Sequence, residues 1–165
     1  MDDIIVTSNS ASQVADLITA ISQVFQLKDL GSLSYFLRIH ISHTKYGISL
    51  TQSKNAFNVL HWFNMENSKI VKTPSCSSSH LVPHSSILFS DPTVYRSMVG
   101  ALQYLTFTRP NLAFNVHKLC QFMSKPTSVH LEAAKHVLRY LRGTLNHGIC
   151  FSPGPLSLTA FSDTD

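Results

Sequence analysis

The chain has 165 residues, of which 44% are hydrophobic and 13% charged. That size suits one domain, and a charged share about half the usual excludes disorder driven by low hydropathy and high charge. The net charge of +4 permits contact with polyanions without requiring it.

In chain order, Ile4, Ile5 and Val6 form a short β-branched run closed by Thr7 to Ser10, which predicts a buried strand and a turn. From Ser12, the positions Val14, Leu17, Ile18, Ile21 and Phe25 recur at helical spacing, so a helix to about Val24 should pack one face on that strand. Leu27 to Gly31 reads as a turn. From Leu33 to Ile41, Tyr35, Leu37, Ile39 and Ile41 alternate with Phe36, Arg38 and His40; Tyr46-Gly47 reverses the chain, and Ile48, Leu50 and Gln52 alternate again, predicting an antiparallel hairpin. Ser53 is placed to cap a helix with Phe57, Leu60 and Phe63 along one side, ending near Met65.

Residues 66–90 hold Pro74, Pro83 and eight serines without a period, the composition of a linker or surface excursion. Three helices come next. Asp91-Pro92 gives a capping side chain and a first-turn proline ahead of Tyr95, Met98, Leu102 and Leu105. Pro110 restarts the pattern with Ala113, Val116, Leu119, Cys120 and Met123. The third helix carries Leu131, Ala134, Leu138 and Leu141, with Gly143 at its expected C-cap. The tail from Leu156 to Phe161 alternates as a strand and ends in Asp163 and Asp165.

Acids are scarce: seven Asp and two Glu (Glu66 and Glu132), with Asp2, Asp3, Asp163 and Asp165 at the ends. Cys76, Cys120 and Cys150 form neither a CxxC pair nor an even disulfide set, so a reducing compartment is the default. None of the nine histidines has HExxH or Cys/His zinc spacing, and His80 and His84 read as a chance pair. Trp62 and the phenylalanines are expected in core positions. No apolar run reaches the roughly 20 residues of a membrane span, and there is no basic leader, so the expectation is an intracellular chain with no membrane partner.

Met1-Asp2-Asp3-Ile4-Ile5-Val6 resembles the paired-aspartate strand of reverse transcriptases. The segments downstream of it are similar, in order, to the polymerase of copia-type long-terminal-repeat retrotransposons: Phe25 to Gly31, Tyr35-Phe36-Leu37, Asp91-Pro92 with Tyr95-Arg96, Val99 to Thr106, Thr108-Arg109-Pro110, Lys125-Pro126-Thr127, Leu138 to Thr144 and Ala160 to Asp163. The chain also resembles short proteins of plant mitochondrial and nuclear genomes that carry this part of such an element. The resemblance implies an α+β chain: the end of a reverse-transcriptase palm with hairpin and first thumb-like helix over 1–65, a Ser/Pro-rich linker over 66–90, a helical thumb- and connection-like subdomain over 91–152, and the start of an RNase H-like domain over 153–165.

Polymerases of this kind use two Mg²⁺ ions, hard cations that prefer carboxylate oxygen. The resemblance makes Asp2 the main metal ligand with Asp3 in support, and makes Asp163 the first acid of the RNase H remnant. The family needs a further aspartate from an upstream strand, and fingers to hold template and nucleotide, which these residues do not supply. Asp16 reads as an exposed helix residue and Asp29 as a turn residue. Tight Mg²⁺ binding and polymerisation by this chain alone are therefore not expected.

The hairpin around Phe36 to Ile41 looks like a primer grip, although Arg38 stands where the family has glycine; the side chain would clash with, or newly contact, phosphate. On the helices, Arg96, Arg109, Lys118, Lys125, Lys135, Arg139 and Arg142 are candidates for a surface facing an RNA/DNA duplex, or simply a solvated face. Self-association through the unpaired strand edges at Ile4 to Val6 and Leu156 to Phe161 is a further expectation.

Overall fold

A computed structural model describes residues 4–75, 91–155 and 157–162. Among them it is a mixed α+β structure with five helices and one four-stranded antiparallel sheet. The helices are α1 (Ala11–Ser22), α2 (Ser53–Trp62), α3 (Pro92–Leu105), α4 (Pro110–Cys120) and α5 (Ser128–Gly143). The strands are β1 (Tyr35–Phe36), β2 (Ile39–Thr44), β3 (Gly47–Thr51) and β4 (Gly148–Phe151), in that spatial order.

The core lies among α2 to α5. Tyr95, Val99, Leu102 and Leu105 of α3 meet Leu112, Val116 and Leu119 of α4, Leu131, Ala134, Leu138 and Leu141 of α5, and Ala56, Val59 and Leu60 of α2 in one apolar cluster. The stripes expected on α3 and α5 are the buried faces. Asp91 caps α3, its carboxylate accepting from the Thr93 amide at 2.9 Å, and proline opens both α3 and α4. Helix α2, which precedes the serine-rich segment, shares this core with the helices after it.

Several local expectations are corrected. Residues 4–8 form no strand and pair with neither outer strand of the sheet, and Ile4 is 67% exposed. Helix α1 buries no residue, and Leu17 on its apolar face stays exposed, since that face packs on no other element. The alternation from Leu33 to Ile41 is not one strand. Leu37 and Arg38 have φ of 45° and 63° and form a two-residue reversal between β1 and β2, with Tyr35 opposite His40 and Phe36 opposite Ile39. Two positive φ values in a two-residue hairpin loop are what the right-handed twist of the strands selects, and glycine or asparagine meets that need without Cβ strain. The glycine that the resemblance leads one to expect at position 38 would have a backbone reason.

Trp62, Phe57, Phe107 and Phe114 are exposed and not core. On α2 the inward face is Asn55, Ala56, Val59 and Leu60, which turns Phe57 and Trp62 outward. Gly143 is not a left-handed cap; it sits in the last turn of α5, where a Cβ would lie 2.5 Å from Ile70 Cγ2, so packing accounts for it. Strand β4 is an addition to the elements legible in the sequence. It pairs with β3, Ser49 facing Cys150 and Leu50 facing Ile149. Residues 157–162 are irregular, with Leu158 and Phe161 almost fully exposed, and Leu156 lies outside the described residues.

Arginines close the helix ends. Arg109, 3% exposed, donates from Nη1 to the Thr144 carbonyl at 2.8 Å and from Nη2 to Thr144 Oγ1 at 2.6 Å. Asn111, next to it, donates to the Tyr140 hydroxyl at 2.8 Å, and Thr144 Oγ1 donates to the Tyr140 carbonyl at 2.9 Å. Burial pulls the Arg109 guanidinium below its usual pKa, with Tyr140 opposing, yet the group stays charged and sits against the negative end of α5. Arg96 donates to the Met123 and Ser124 carbonyls beyond α4, and Arg142 to the Ser68 carbonyl in the segment after α2.

Removing the Arg109 guanidinium orphans the part-buried acceptors of Thr144. Arg109→Met is expected to lower stability by about 2–4 kcal/mol, read as a shifted urea midpoint in circular dichroism at 222 nm. Arg109→Lys should recover less than half of that, because one ammonium cannot reproduce the fork.

Candidate nucleic-acid interface

Helix α3 is buried on one side and carries Gly100, Gln103, Tyr104 and Phe107 along or just beyond the other. Together with Thr106, and with His117 from α4, these residues line an open recess of about 340 Å³. Tyr104 and Phe107 meet edge to face, with ring centroids 5.8 Å apart at 70°, and Phe107 is 70% exposed. Gly100 is the unusual member. Glycine inside a helix costs about 1 kcal/mol relative to alanine, and fold packing does not require it here, since nothing lies within 4 Å of where its Cβ would be. A helix-interior glycine facing open space leaves room for something outside the chain to approach the backbone.

The β1–β2 reversal is tied to the same helix. The Tyr104 hydroxyl, at the recess wall, donates to the Leu37 carbonyl, so Arg38 is held at a turn anchored beside the recess. A further buried bond lies at the β3–α2 junction: Thr108 Oγ1 donates to Oε1 of Gln52, the residue that precedes α2, at 2.8 Å.

The expected cationic residues are distributed unevenly. Arg96, Arg109 and Arg142 direct their guanidinium groups to the backbone carbonyls of helix ends and connections. Lys135 lies 2.9 Å and Arg139 3.6 Å from the Glu132 carboxylate, on one exposed stretch of α5. Arg38 has neither an ion pair nor a side-chain hydrogen bond among the described residues. The recess itself is not among the sequence expectations. Its one sequence signal is Gly100 inside an otherwise helical pattern.

Asp2, Asp3 and Asp163 lie outside the described residues. The other acids are mostly committed nearby. Asp29 Oδ1 accepts from the Gly31 amide at 2.8 Å, Asp91 caps α3, and Glu66 is bonded to His61; a backbone hydrogen bond and this contact lower its pKa. Glu132 pairs with Lys135 and Arg139, and Asp16 lies on α1. Among the described residues no group of three or more His, Cys, Asp or Glu could hold a metal ion. The described acids therefore do not assemble a Mg²⁺ ligand set. No helix among the described residues is long and apolar enough to cross a membrane.

Residues 1–77 match the reverse transcriptase (RNA-dependent DNA polymerase) family. The whole chain aligns at 43% identity with the retrovirus-related Pol polyprotein from transposon RE1 of Arabidopsis thaliana and at 33% with that from transposon TNT 1-94 of Nicotiana tabacum. It spans 11% and 13% of those polyproteins, respectively. It is also 39% identical to an uncharacterized mitochondrial protein of Arabidopsis thaliana, of which it covers 69%. No solved structure matches. The chain belongs to the copia-type retrotransposon reverse-transcriptase family, and corresponds to part of a Pol polyprotein of that class.

The reversal at Leu37–Arg38 yields a direct test. A non-glycine residue at φ near 60° carries a strain of about 1–2 kcal/mol, partly offset in glycine by greater freedom when unfolded. Arg38→Gly is expected to raise stability by about 0.5–1 kcal/mol, measured as a higher urea midpoint, while Arg38→Ala should not.

Proposed function

We propose that this chain holds primer–template duplex without extending it. In this reading the hairpin is the end of the palm, α2 to α5 are thumb- and connection-like, and the last residues begin an RNase H-like domain. The duplex backbone approaches α3 at Gly100, Tyr104 and Phe107 flank it, and Arg38 with the Lys135 and Arg139 stretch supplies cations to phosphate. Distributed cations and exposed aromatic rings are what sequence-tolerant nucleic-acid contact requires. The observation that carries the reading is the open space over Gly100.

Catalysis by the chain alone is not part of the proposal. Asp2 and Asp3 are the residues that would hold Mg²⁺ in the family arrangement, where the ion would activate the primer hydroxyl. Every described acid except Asp16 is engaged in a turn, a cap or a side-chain pair, so none of those is free to join them. Self-association through the free side of β4 and the exposed Leu158 and Phe161 belongs to the same proposal.

Fluorescence anisotropy with a labelled RNA/DNA hybrid tests the binding. Binding should weaken steeply with salt, and Gly100→Gln should lower affinity at least about tenfold, or 1.4 kcal/mol, while leaving the melting temperature unchanged or higher. No anisotropy change at low salt would end the binding reading. Primer extension with Mg²⁺ or Mn²⁺ should give no product; incorporation abolished by Asp2→Asn would overturn the absence of catalysis. Sedimentation coefficients that stay constant across protein concentration would remove self-association.

A further inference from the structure

His130 is 0% exposed and occupies the third position of α5, where a capping box ordinarily has Glu or Gln. Its Nδ1 accepts from the Thr127 amide at 3.0 Å and lies 3.1 Å from Thr127 Oγ1. A backbone amide can only donate, so Nδ1 must be the unprotonated nitrogen and the ring hydrogen must sit on Nε2. Nε2 has no partner among the described residues. The ring stacks on Phe122 with centroids 4.0 Å apart at 16°, and Tyr95 lies tilted 6.5 Å away. The usual capping residues, Glu and Gln, leave this bond intact at neutral pH, whereas imidazole is the side chain whose ordinary titration falls between pH 5 and 8.

A proton on Nδ1 would set one N–H against another and place a cation at the positive end of a helix. The surroundings offer that cation no anion, and the Phe122 ring face is the one neighbour that favours it. From α3, Tyr95 is neutral and gives its hydroxyl to the Leu119 carbonyl at 2.8 Å, and Arg96, itself positive, is fixed on the Met123 and Ser124 carbonyls. From α4, burial pushes the Cys120 thiol up and keeps it neutral. Lys125 in the α4–α5 connection is a further cation, and Glu132 on α5 is exposed and occupied by Lys135 and Arg139.

We propose that Thr127 and His130 form an acid-operated latch: proton uptake at Nδ1 opens the first turn of α5 and releases the α4–α5 connection from the helical core. The proposal stands apart from the duplex-binding reading. The direction of linkage is consistent with it. Burial holds the His130 pKa below its ordinary value of 6.5, so the opened state binds the proton more tightly. The stability of the closed turn is complete above the ordinary imidazole range and is lost as pH falls from there toward the lowered value.

Amide hydrogen exchange of the whole chain, corrected for intrinsic rates, reads the latch at Thr127 and Leu131, whose amide bonds to the Thr127 carbonyl. The opening constant should rise by up to about tenfold per pH unit between pH 7 and 5. His130→Gln keeps an acceptor that does not titrate and should make the profile flat. Identical profiles for both chains would overturn the proposal. Nitrogen-15 spectra of the imidazole need no variant: they should show the Nε2–H form at pH 8, and an Nδ1–H form there would equally overturn it.

Discussion

Scarcity of acid shapes this fold. With thirteen Lys and Arg against nine acids, four of them at the chain ends, the interior cannot settle its cations by carboxylate pairing. Backbone carbonyls of one helix end and of two connections take that role. Arg109 closes α5, Arg96 holds the connection beyond α4, and Arg142 gathers the segment after α2. The Arg109 contact is the one on which most depends, because its guanidinium joins the α3–α4 junction to the end of α5 while its neighbour Asn111 reaches Tyr140 on the same helix. A helix terminus already presents partial negative charge and unpaired oxygens, so a buried arginine there needs no acid. The pairing holds three of the four packed helices in register without a charged partner that would itself require desolvation.

Legibility of the sequence tracks the locality of each feature. The stripe Tyr95, Met98, Leu102, Leu105 and the cap Asp91-Pro92 can be read because helical periodicity and capping are encoded within a few residues. Strand β4 cannot, since its partner among the described residues is β3, about a hundred residues earlier in the chain. The run Ile4 to Val6 misleads because its composition suits a strand, but a strand exists only when paired, and these residues pair with no described segment. Gly143 reads as a cap because glycine after an apolar stripe commonly is one, and only the approach of Ile70 shows otherwise. At the candidate interface, charge is legible and its disposition is not. Arg96, Arg109, Arg142, Lys135 and Arg139 can all be named from sequence, yet which of them point into carbonyls depends on helix packing.

Two regions of unlike character share the chain. The helices α2 to α5 bury a continuous core, whereas the segment through α1 leaves its apolar face without cover. The sheet lies between these extremes, with Ile41 its one buried hydrophobic residue among those described. Among the described residues Tyr104 bonds the Leu37 carbonyl of the β1–β2 reversal, and Thr108 bonds Gln52 at the β3–α2 junction. The Tyr104 contact therefore ties the Arg38 turn to the wall of the recess.

The pairing of β3 with β4 sets an order of events during synthesis. The hairpin is complete once Thr51 has left the ribosome, but its outer edge must wait for Gly148–Phe151, after all four core helices have been made. Closing that long loop is entropically expensive unless the helices fold first and bring Gly148 back toward Thr51. Throughout that interval the nascent β3 edge is open to any strand in its surroundings, and a chaperone's grip on it would matter most there.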